Sequence, residues 1–194
     1  AQTHEPHTHT CGLHFGTAGM RAPVGPAEGH MNVLQVTRIS AGLASWLAAH
    51  TSQELSQERQ DDQSHPLPDS VFSSDVTPSV VIGYDARYGS HIFATTTAEV
   101  CAGAGFEVTL LPVPSPTPLV PWMVRNRGFD AGIQITASHN PAPDNGYKIY
   151  AGDGAQISRV HEPSIEAAIA AVGDPLNVPR VTVRPTTDQV RRYI

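Results

Sequence analysis

The residues best suited to chemistry lie in two short stretches, TASHNP at 136–141 and NGYK at 145–148. An apolar-rich run, AGIQI at 131–135, precedes them and predicts a buried strand. Ser138 should therefore lie on the loop just beyond a strand end, where sheet proteins often keep their reactive groups.

Three interpretations of Ser138 compete. The adjacent His139 suggests a nucleophile with its base, but neighbouring side chains rarely face each other and the G-x-S-x-G elbow is missing, which disfavours a serine hydrolase. Serine and asparagine after a strand can also form a turn that satisfies backbone groups. The third interpretation is phosphoryl chemistry, since a phosphorylated Ser138 would add about −1.5 to −2 charge and need cationic partners and a metal ion. Arg21, His139 and Lys148 are the candidate partners.

Arg21 lies in a third stretch of interest, FGTAGMR at 15–21. Small residues allow the backbone to approach a ligand closely, and an arginine beside them can grip a phosphate with two parallel N–H bonds. A plain hairpin with a surface arginine is the alternative. The spacing does not match the G-x-x-x-x-G-K-[ST] loop of nucleotide-binding proteins.

Composition limits the function classes. The chain has 194 residues, 40% of them hydrophobic and 15% charged, which is typical of one globular core. A net charge of −6 argues against nucleic-acid binding, and no apolar run is long enough to span a membrane. Cys11 and Cys101 form no C-x-x-C pattern, and we expect a cytoplasmic protein without a disulfide framework.

The elements that must position these residues alternate between strand and helix. In chain order we expect a helix from Asn32, its N-cap, to about Ala49; a strand at 80–84 followed by Asp85 and Arg87; a helix at 90–104; a strand at 107–111; a short helix at 119–126 ended by Gly128; the strand at 131–135; a returning strand at 147–150 after a turn at 144–146; and a helix at 162–172.

This order predicts an α/β fold: a mixed, mostly parallel sheet sandwiched between helices, with one antiparallel strand after the Ser138 loop. The returning strand should bring Lys148 back beside Ser138.

Three segments together resemble a known family. The segments 15–21, 83–87 and 136–148 are similar, in order and separation, to those of the α-D-phosphohexomutases, the phosphoglucomutase and phosphomannomutase enzymes. The family's active-site motif is T-x-S-H-N-P followed at fixed spacing by N-G-[YF]-K, and its N-terminal motif is F-G-T-x-G-x-R. The resemblance runs from about Gly12 to the C-terminus and corresponds to the first of the family's four domains.

The resemblance implies a phosphoryl carrier at Ser138. This serine would hand its phosphoryl group to a hexose phosphate, giving a 1,6-bisphosphate that returns its other phosphate, so that 1-phosphate and 6-phosphate interconvert. Mg²⁺ would touch the phosphoserine oxygen, and hexose 1,6-bisphosphate would act as activator. The remaining implied site residues are Arg21, Lys148 and His139 near the transferring phosphate, and Thr17, Gly19, Arg21 and Asn140 in phosphate binding.

The resemblance also implies a domain organisation. We expect a flexible tail at 1–11, a phosphohexomutase first domain at 12–185 with a polar insertion at 51–79, and at 186–194 the start of a linker to an absent second domain. The family's D-G-D-x-D metal loop, its G-E-[ED]-S-G sugar loop and its Ser-Gly-Thr phosphate loop do not occur in the sequence.

We therefore expect a fragment that is inactive by itself and that has domains 2–4 of the same parent chain, and a small sugar phosphate, as partners. Glucose, mannose and pentose phosphates all stay open as substrates. A non-catalytic sugar-phosphate-binding module and a purely structural domain are the alternatives.

Overall fold

The computed structural model describes residues 15–16, 19–27, 29–61 and 77–186. Six strands and four helices follow one another along these ranges, with these bounds: β1 Phe15–Gly16, β2 Gly19–Pro23, α1 Val33–Asp61, β3 Ser79–Tyr84, α2 Ser90–Gly103, β4 Glu107–Leu110, α3 Leu119–Arg127, β5 Ala131–Ile135, β6 Asp144–Ala151 and α4 Glu162–Ala170.

The strands form one sheet in the order β1-β2-β6-β5-β3-β4. β3 pairs in parallel with β4 and β5, whereas β6 returns antiparallel to β5 and pairs on its other side with β2. The predicted mixed α/β sheet with an antiparallel strand after the Ser138 loop is confirmed. The sheet contains more antiparallel pairing than predicted, because the hairpin of β1 and β2 pairs with the outer side of β6.

Helices cover both faces of the sheet. Alternate residues of a strand point to opposite faces, and the buried side chains accordingly form two clusters. The larger cluster joins the sheet to α1, α2 and α4 and includes Met20, Leu43, Phe93, Ile133, Tyr147 and Ile169. The smaller joins the opposite face to α3 and includes Val81, Leu111, Val120, Met123 and Tyr150.

Local sequence signals explain several helix ends. The Oδ1 of Asn32 accepts a hydrogen bond from the backbone N–H of Gln35 at 3.0 Å, which confirms Asn32 as the N-cap of α1. At the end of α3, Gly128 has φ 72° and its N–H donates to the oxygen of Val124 at 3.1 Å. This left-handed glycine is a common helix C-terminal signal.

The prediction that α1 ends at about Ala49 is wrong, because the helix continues to Asp61. Residues 51–61 of the predicted polar insertion are therefore helical rather than loop. Their sequence, TSQELSQERQD, has few apolar residues, but glutamine, glutamate and arginine are good helix formers. A prediction from apolar periodicity alone stops too early in such a segment.

The predicted turn at 144–146 is also wrong, since these residues open strand β6. The chain turns at 142–143 instead. Asn145 is fully buried, and its Nδ2 donates to Ser90 Oγ at 2.8 Å and to the backbone oxygen of Tyr88 at 3.0 Å. These long-range bonds stabilise an extended backbone at an Asn-Gly pair that would otherwise favour a turn.

The predicted tail at 1–11, most of the insertion after residue 61, and nearly all of the predicted linker at 186–194 lie outside the described residues. Within the described ranges, no helix is both long enough and apolar enough to cross a membrane.

Candidate functional site

Ser138 lies on the loop that connects β5 to β6, as predicted, and it is half-buried. Its φ is 56°, and no other non-glycine residue of the described chain has a positive φ. Its backbone N–H donates to Thr136 Oγ1 at 2.9 Å. The left-handed region is sterically disfavoured for a residue with a Cβ, so contacts of the surrounding structure must hold it there.

Asp85, at the end of β3, connects the loop to the sheet. Its Oδ2 accepts from Thr136 Oγ1 at 2.6 Å, and its Oδ1 accepts from Ser90 Oγ at 2.6 Å. Its N–H donates to the oxygen of Ile135 at 3.1 Å. Asp85 thus connects the start of the Ser138 loop to the ends of β3 and β5 and to the first turn of α2.

Arg87 makes the largest set of contacts with the loop. Its Nε lies 3.3 Å from Asp85 Oδ2. Its two terminal nitrogens donate to backbone oxygens along the loop: NH2 to Ser138 at 2.8 Å and Asn140 at 2.8 Å, and NH1 to Pro141 at 2.8 Å and Asp144 at 3.1 Å. The guanidinium is therefore surrounded by acceptors of the protein itself.

Arg21 approaches the loop from β2, and its NH1 donates to Asn140 Oδ1 at 2.8 Å. The Nδ2 of Asn140 in turn donates to Asp144 Oδ2 at 2.9 Å, so Asn140 links Arg21 to the far end of the loop. The Nε of Arg21 is buried and has no hydrogen-bond partner in the described part of the chain. A buried donor of this kind is rare in folded proteins, because it has lost water without gaining an acceptor.

The position of Tyr147 shows which face of the sheet each β6 side chain lies on. It is completely buried, and its hydroxyl forms hydrogen bonds with Ser40 Oγ at 2.9 Å and with Thr97 Oγ1. Burial raises the pKa of this hydroxyl, so it stays protonated. Because side chains alternate along a strand, Gly146 and Lys148 face the opposite side of the sheet.

Gly146 provides room for Arg21, its cross-strand partner in the pairing of β2 with β6. A Cβ at Gly146 would lie 2.0 Å from the backbone oxygen of Met20 and 3.1 Å from Arg21 Cγ. Only a glycine therefore allows β2 and β6 to approach this closely at Arg21.

Lys148 is half-buried on the same sheet face as Arg21. The strand register places it opposite Gln134, four residues before Ser138 in the chain. Burial, and to a lesser extent the nearby positive charge of Arg21, lowers the pKa of Lys148. The two cations thus form a local positive field on this face, next to the loop.

The other predicted site residues have different positions. Gly19 has φ 93°, and a Cβ there would lie 1.9 Å from the backbone oxygen of Tyr147, so strand packing alone already requires this glycine. His139 follows Ser138 and is exposed. Thr17 lies outside the described residues.

Sequence reasoning found Asp85 and Arg87 but assigned them no role. Their signal was a pair of charged residues two apart, directly after a buried strand. Asn145 was interpreted as a turn residue, although it connects β6 to the start of α2 through Ser90.

The carboxylates near the loop have protein partners and do not form a metal cluster. Within the described ranges, no group of three or more histidine, cysteine, aspartate or glutamate side chains could hold a metal ion. Both oxygens of Asp85 accept hydrogen bonds, and Oδ2 of Asp144 accepts one. The described residues thus do not fit a complete Mg²⁺ site, which needs about six oxygen ligands.

Comparison with protein families agrees with this architecture. The family model described as phosphoglucomutase/phosphomannomutase, alpha/beta/alpha domain I, matches residues 70–175, which is more than half of the chain. The chain belongs to this family. The resemblance inferred from the three sequence segments is therefore confirmed, including its restriction to the first domain.

Phosphoglucomutases are among the proteins similar to this chain. That of Staphylococcus aureus strain MRSA252 is 34% identical over 181 residues, which cover 93% of this chain and 28% of that protein. The chain thus spans between a quarter and a third of the length of this relative.

Solved structures show the same fold. A protein of Thermus thermophilus assigned as a phosphomannomutase superposes with a TM-score of 0.65 at 26% identity, covering 82% of this chain and 30% of that one. A phosphoglucomutase/phosphomannomutase family protein of Burkholderia thailandensis reaches a TM-score of 0.63 at 17% identity, covering 95% of this chain and 34% of its own.

Proposed function

We propose that this chain is the phosphoryl-carrying first domain of a phosphohexomutase, with Ser138 as the carrier. The observation that carries the proposal is a serine with a left-handed backbone on a loop that Arg21 contacts through Asn140, with Lys148 on the same sheet face as Arg21. The salt bridges of the described residues involve Arg87 and Arg180 but neither of these two cations. Among the described residues no carboxylate pairs with these two cations and the Nε of Arg21 has no acceptor, which supports a role for both in holding a phosphate.

The proposed transfer conserves all atoms and charges. A hydroxyl oxygen of the sugar phosphate attacks phosphorus on Ser138, the new O–P bond forms, and the bond from phosphorus to Ser138 Oγ breaks. The hydroxyl loses its proton, and the serine oxygen gains one. The second transfer runs in reverse with the other phosphate of the sugar bisphosphate, so Ser138 recovers its phosphoryl group and the sugar phosphate has changed position.

Lys148 and Arg21 have different proposed roles in this step. Because the pKa of Lys148 is lowered, its neutral amine is more populated at physiological pH than that of an ordinary lysine. This suits a group that gives and takes the proton. Arg21 stays charged and presents a planar fork, which suits an electrostatic clamp on the phosphate. His139, exposed beside Ser138, is a further candidate for contact with the incoming sugar phosphate, and Asn140 and Gly19 would support the phosphate-binding side.

Mg²⁺ would neutralise charge on the phosphoryl group when bound. Of this chain, only the phosphate on Ser138 is proposed to touch the ion, and the acidic ligands would come from the parent protein. The residues that recognise the sugar would likewise come from domains 2–4, with a hexose phosphate as substrate and a hexose 1,6-bisphosphate as activator.

The test is to incubate the full-length protein with glucose 1,6-bisphosphate and locate added phosphate by mass spectrometry of its peptides. We expect phosphate on Ser138, and loss of both phosphorylation and mutase activity in Ser138→Ala. Ser158→Ala, which changes an exposed serine outside the Ser138 loop, is the control and should behave as wild type. An unmodified Ser138 with retained binding of sugar phosphate would instead support a non-catalytic binding module.

A further inference from the structure

Arg87 is the most completely bonded side chain at the site. A guanidinium has five N–H donors. Those of Arg87 face Asp85 Oδ2 at 3.3 Å and four backbone oxygens of the loop at 2.8 to 3.1 Å. No donor is left for a phosphate, so Arg87 could bind a ligand only by releasing the loop.

The acceptors of Arg87 extend along the loop from Ser138 to the start of β6. Ser138, Asn140 and Pro141 belong to the loop at 136–143, and Asp144 is the first residue of β6. One rigid, planar group that binds all four carbonyls fixes the curvature of the chain between Ser138 and Asp144. The backbone of Ser138 has φ 56°, and its own carbonyl is one of the bound groups.

Asp85 fixes the orientation of Arg87 as well as balancing its charge. The carboxylate is held by Ser90 Oγ and Thr136 Oγ1, both at 2.6 Å, so it cannot rotate freely. It also accepts from the backbone N–H of Arg87 at 3.0 Å. Asp85 thus connects the guanidinium to the end of β3 and, through Ser90, to the start of α2.

We infer that Arg87 is the positioning residue of Ser138: its guanidinium maintains the left-handed loop conformation that directs the serine oxygen, and it does not contact the ligand. The inference rests on the proposed phosphoryl transfer for its functional consequence. A lysine cannot take this role, because its ammonium has three donors at a single point and cannot span the loop.

The first measurement does not depend on catalysis. Amide hydrogen exchange is compared in the full-length protein between wild type, Arg87→Ala, Arg87→Lys and the control Arg125→Ala, which changes an exposed arginine of α3. We expect loop amides at 138–144 to exchange about tenfold faster or more in both Arg87 variants, while amides of β3 and β5 keep their protection. Unchanged exchange in the loop would overturn the inference.

The second measurement separates positioning from ligand binding. Misplacing a reacting group by about 1 Å costs about 100-fold in rate, so single-turnover transfer from glucose 1,6-bisphosphate to Ser138 should slow by about that factor in both Arg87 variants. The KM for the bisphosphate should change little. Added guanidinium ion should restore part of the rate in Arg87→Ala but not in Arg87→Lys. An affinity loss that matches the rate loss, or an unchanged rate, would show that Arg87 does not act by positioning.

The two proposals fail in different ways. If wild type never becomes phosphorylated on Ser138, the proposed function is wrong, whereas the exchange measurement still decides whether Arg87 holds the loop. Arg87→Lys keeps the charge and much of the bulk, so it provides both measurements if Arg87→Ala does not fold.

Discussion

Arg21 and Arg87 contact the same loop from opposite sides, and their hydrogen bonding differs sharply. Arg87 follows β3; its two terminal nitrogens donate to four backbone oxygens between Ser138 and Asp144, and its Nε faces the carboxylate of Asp85. Arg21 lies on β2, across the β5 and β6 pair, and makes one side-chain bond, to Asn140, while its buried Nε has no partner in the described chain.

The difference shows how one residue type can serve structure on one side of a site and chemistry on the other. A saturated arginine has already exchanged its water for protein acceptors, so removing it leaves backbone oxygens without donors. An arginine with spare donors contributes less to the resting fold and more to an anion that arrives later. Substitutions on the two sides should therefore separate stability from activity.

The largest effect is expected for Arg21→Ala, which should lower phosphoryl transfer to Ser138 by about 10²- to 10³-fold, as loss of one charge-stabilising donor does in other enzymes. The melting temperature should change little, because within the described residues the side chain makes a single hydrogen bond. Single-turnover transfer and thermal unfolding of the full-length protein measure the two effects. Arg127→Ala, at an exposed position, is the control. A large fall in melting temperature with intact transfer would remove the contrast with Arg87.

The next effect concerns the strand that carries Arg21. Gly19→Ala should destabilise the protein by about 3 kcal/mol, because the new Cβ would lie 1.9 Å from the backbone oxygen of Tyr147 and β2 would have to move. Gly105→Ala is a close control, since Gly105 has φ 91° against 93° for Gly19 but has open space around it. That variant should cost about 1 kcal/mol from the left-handed backbone alone. Equal losses of unfolding free energy in urea for the two variants would show that the close approach of β2 and β6 does not cause the loss at Gly19.

On the Arg87 side, Thr136→Val should cost about 2 kcal/mol, because Asp85 loses a donor and the N–H of Ser138 loses its acceptor. Thr136→Ser keeps the hydroxyl and should recover most of that stability. Thr95→Val is the matched control, since the hydroxyl of Thr95 donates to the carbonyl of His91 in its own helix. Urea unfolding measures all three variants. If Thr136→Val and Thr95→Val lower the free energy of unfolding equally, the hydrogen bond from Thr136 to Asp85 makes no specific contribution to stability.

The smallest effect is a shift in the titration of Lys148. Burial is the main cause of its lowered pKa and Arg21 the second, so Arg21→Ala should raise this pKa only part of the way to its usual value. NMR of the lysine side chain measures the titration. Arg87→Lys, on the other side of the loop, should leave it unchanged, and a full return to the usual value in Arg21→Ala would show that charge outweighs burial.

The same lowered pKa has a defined consequence for stability. The unfolded chain keeps its Lys148 proton up to a pH of about 10.4, whereas the folded chain loses it earlier. Between these two pKa values the unfolded state binds more protons, so the free energy of unfolding contributed by Lys148 rises with pH in that window. Lys148→Met should abolish this rise, and pH-dependent urea unfolding checks it.

Much of the fold could be predicted from local patterns. The β-branched run before Asp85, the helix with Asn32 as its cap, and the glycine that ends α3 all carry signals within a few residues. The end of α1 and the extended backbone of Asn145 could not be predicted in this way. The first depends on helix propensity in a polar segment, and the second on bonds to Tyr88 and Ser90, which lie 57 and 55 residues away.

By itself, the sequence determined the order of strands and helices from α1 onwards, the family, and the residue types available for phosphoryl chemistry around Ser138. Only the tertiary structure decided which arginine is saturated and which keeps free donors. The physical reason is distance along the chain: Arg87 binds loop residues 51 to 57 positions away, and Arg21 binds Asn140 across 119 positions. Hydrogen bonds over such separations leave no local pattern, and they exist only once the sheet has brought β2, β3 and the Ser138 loop together.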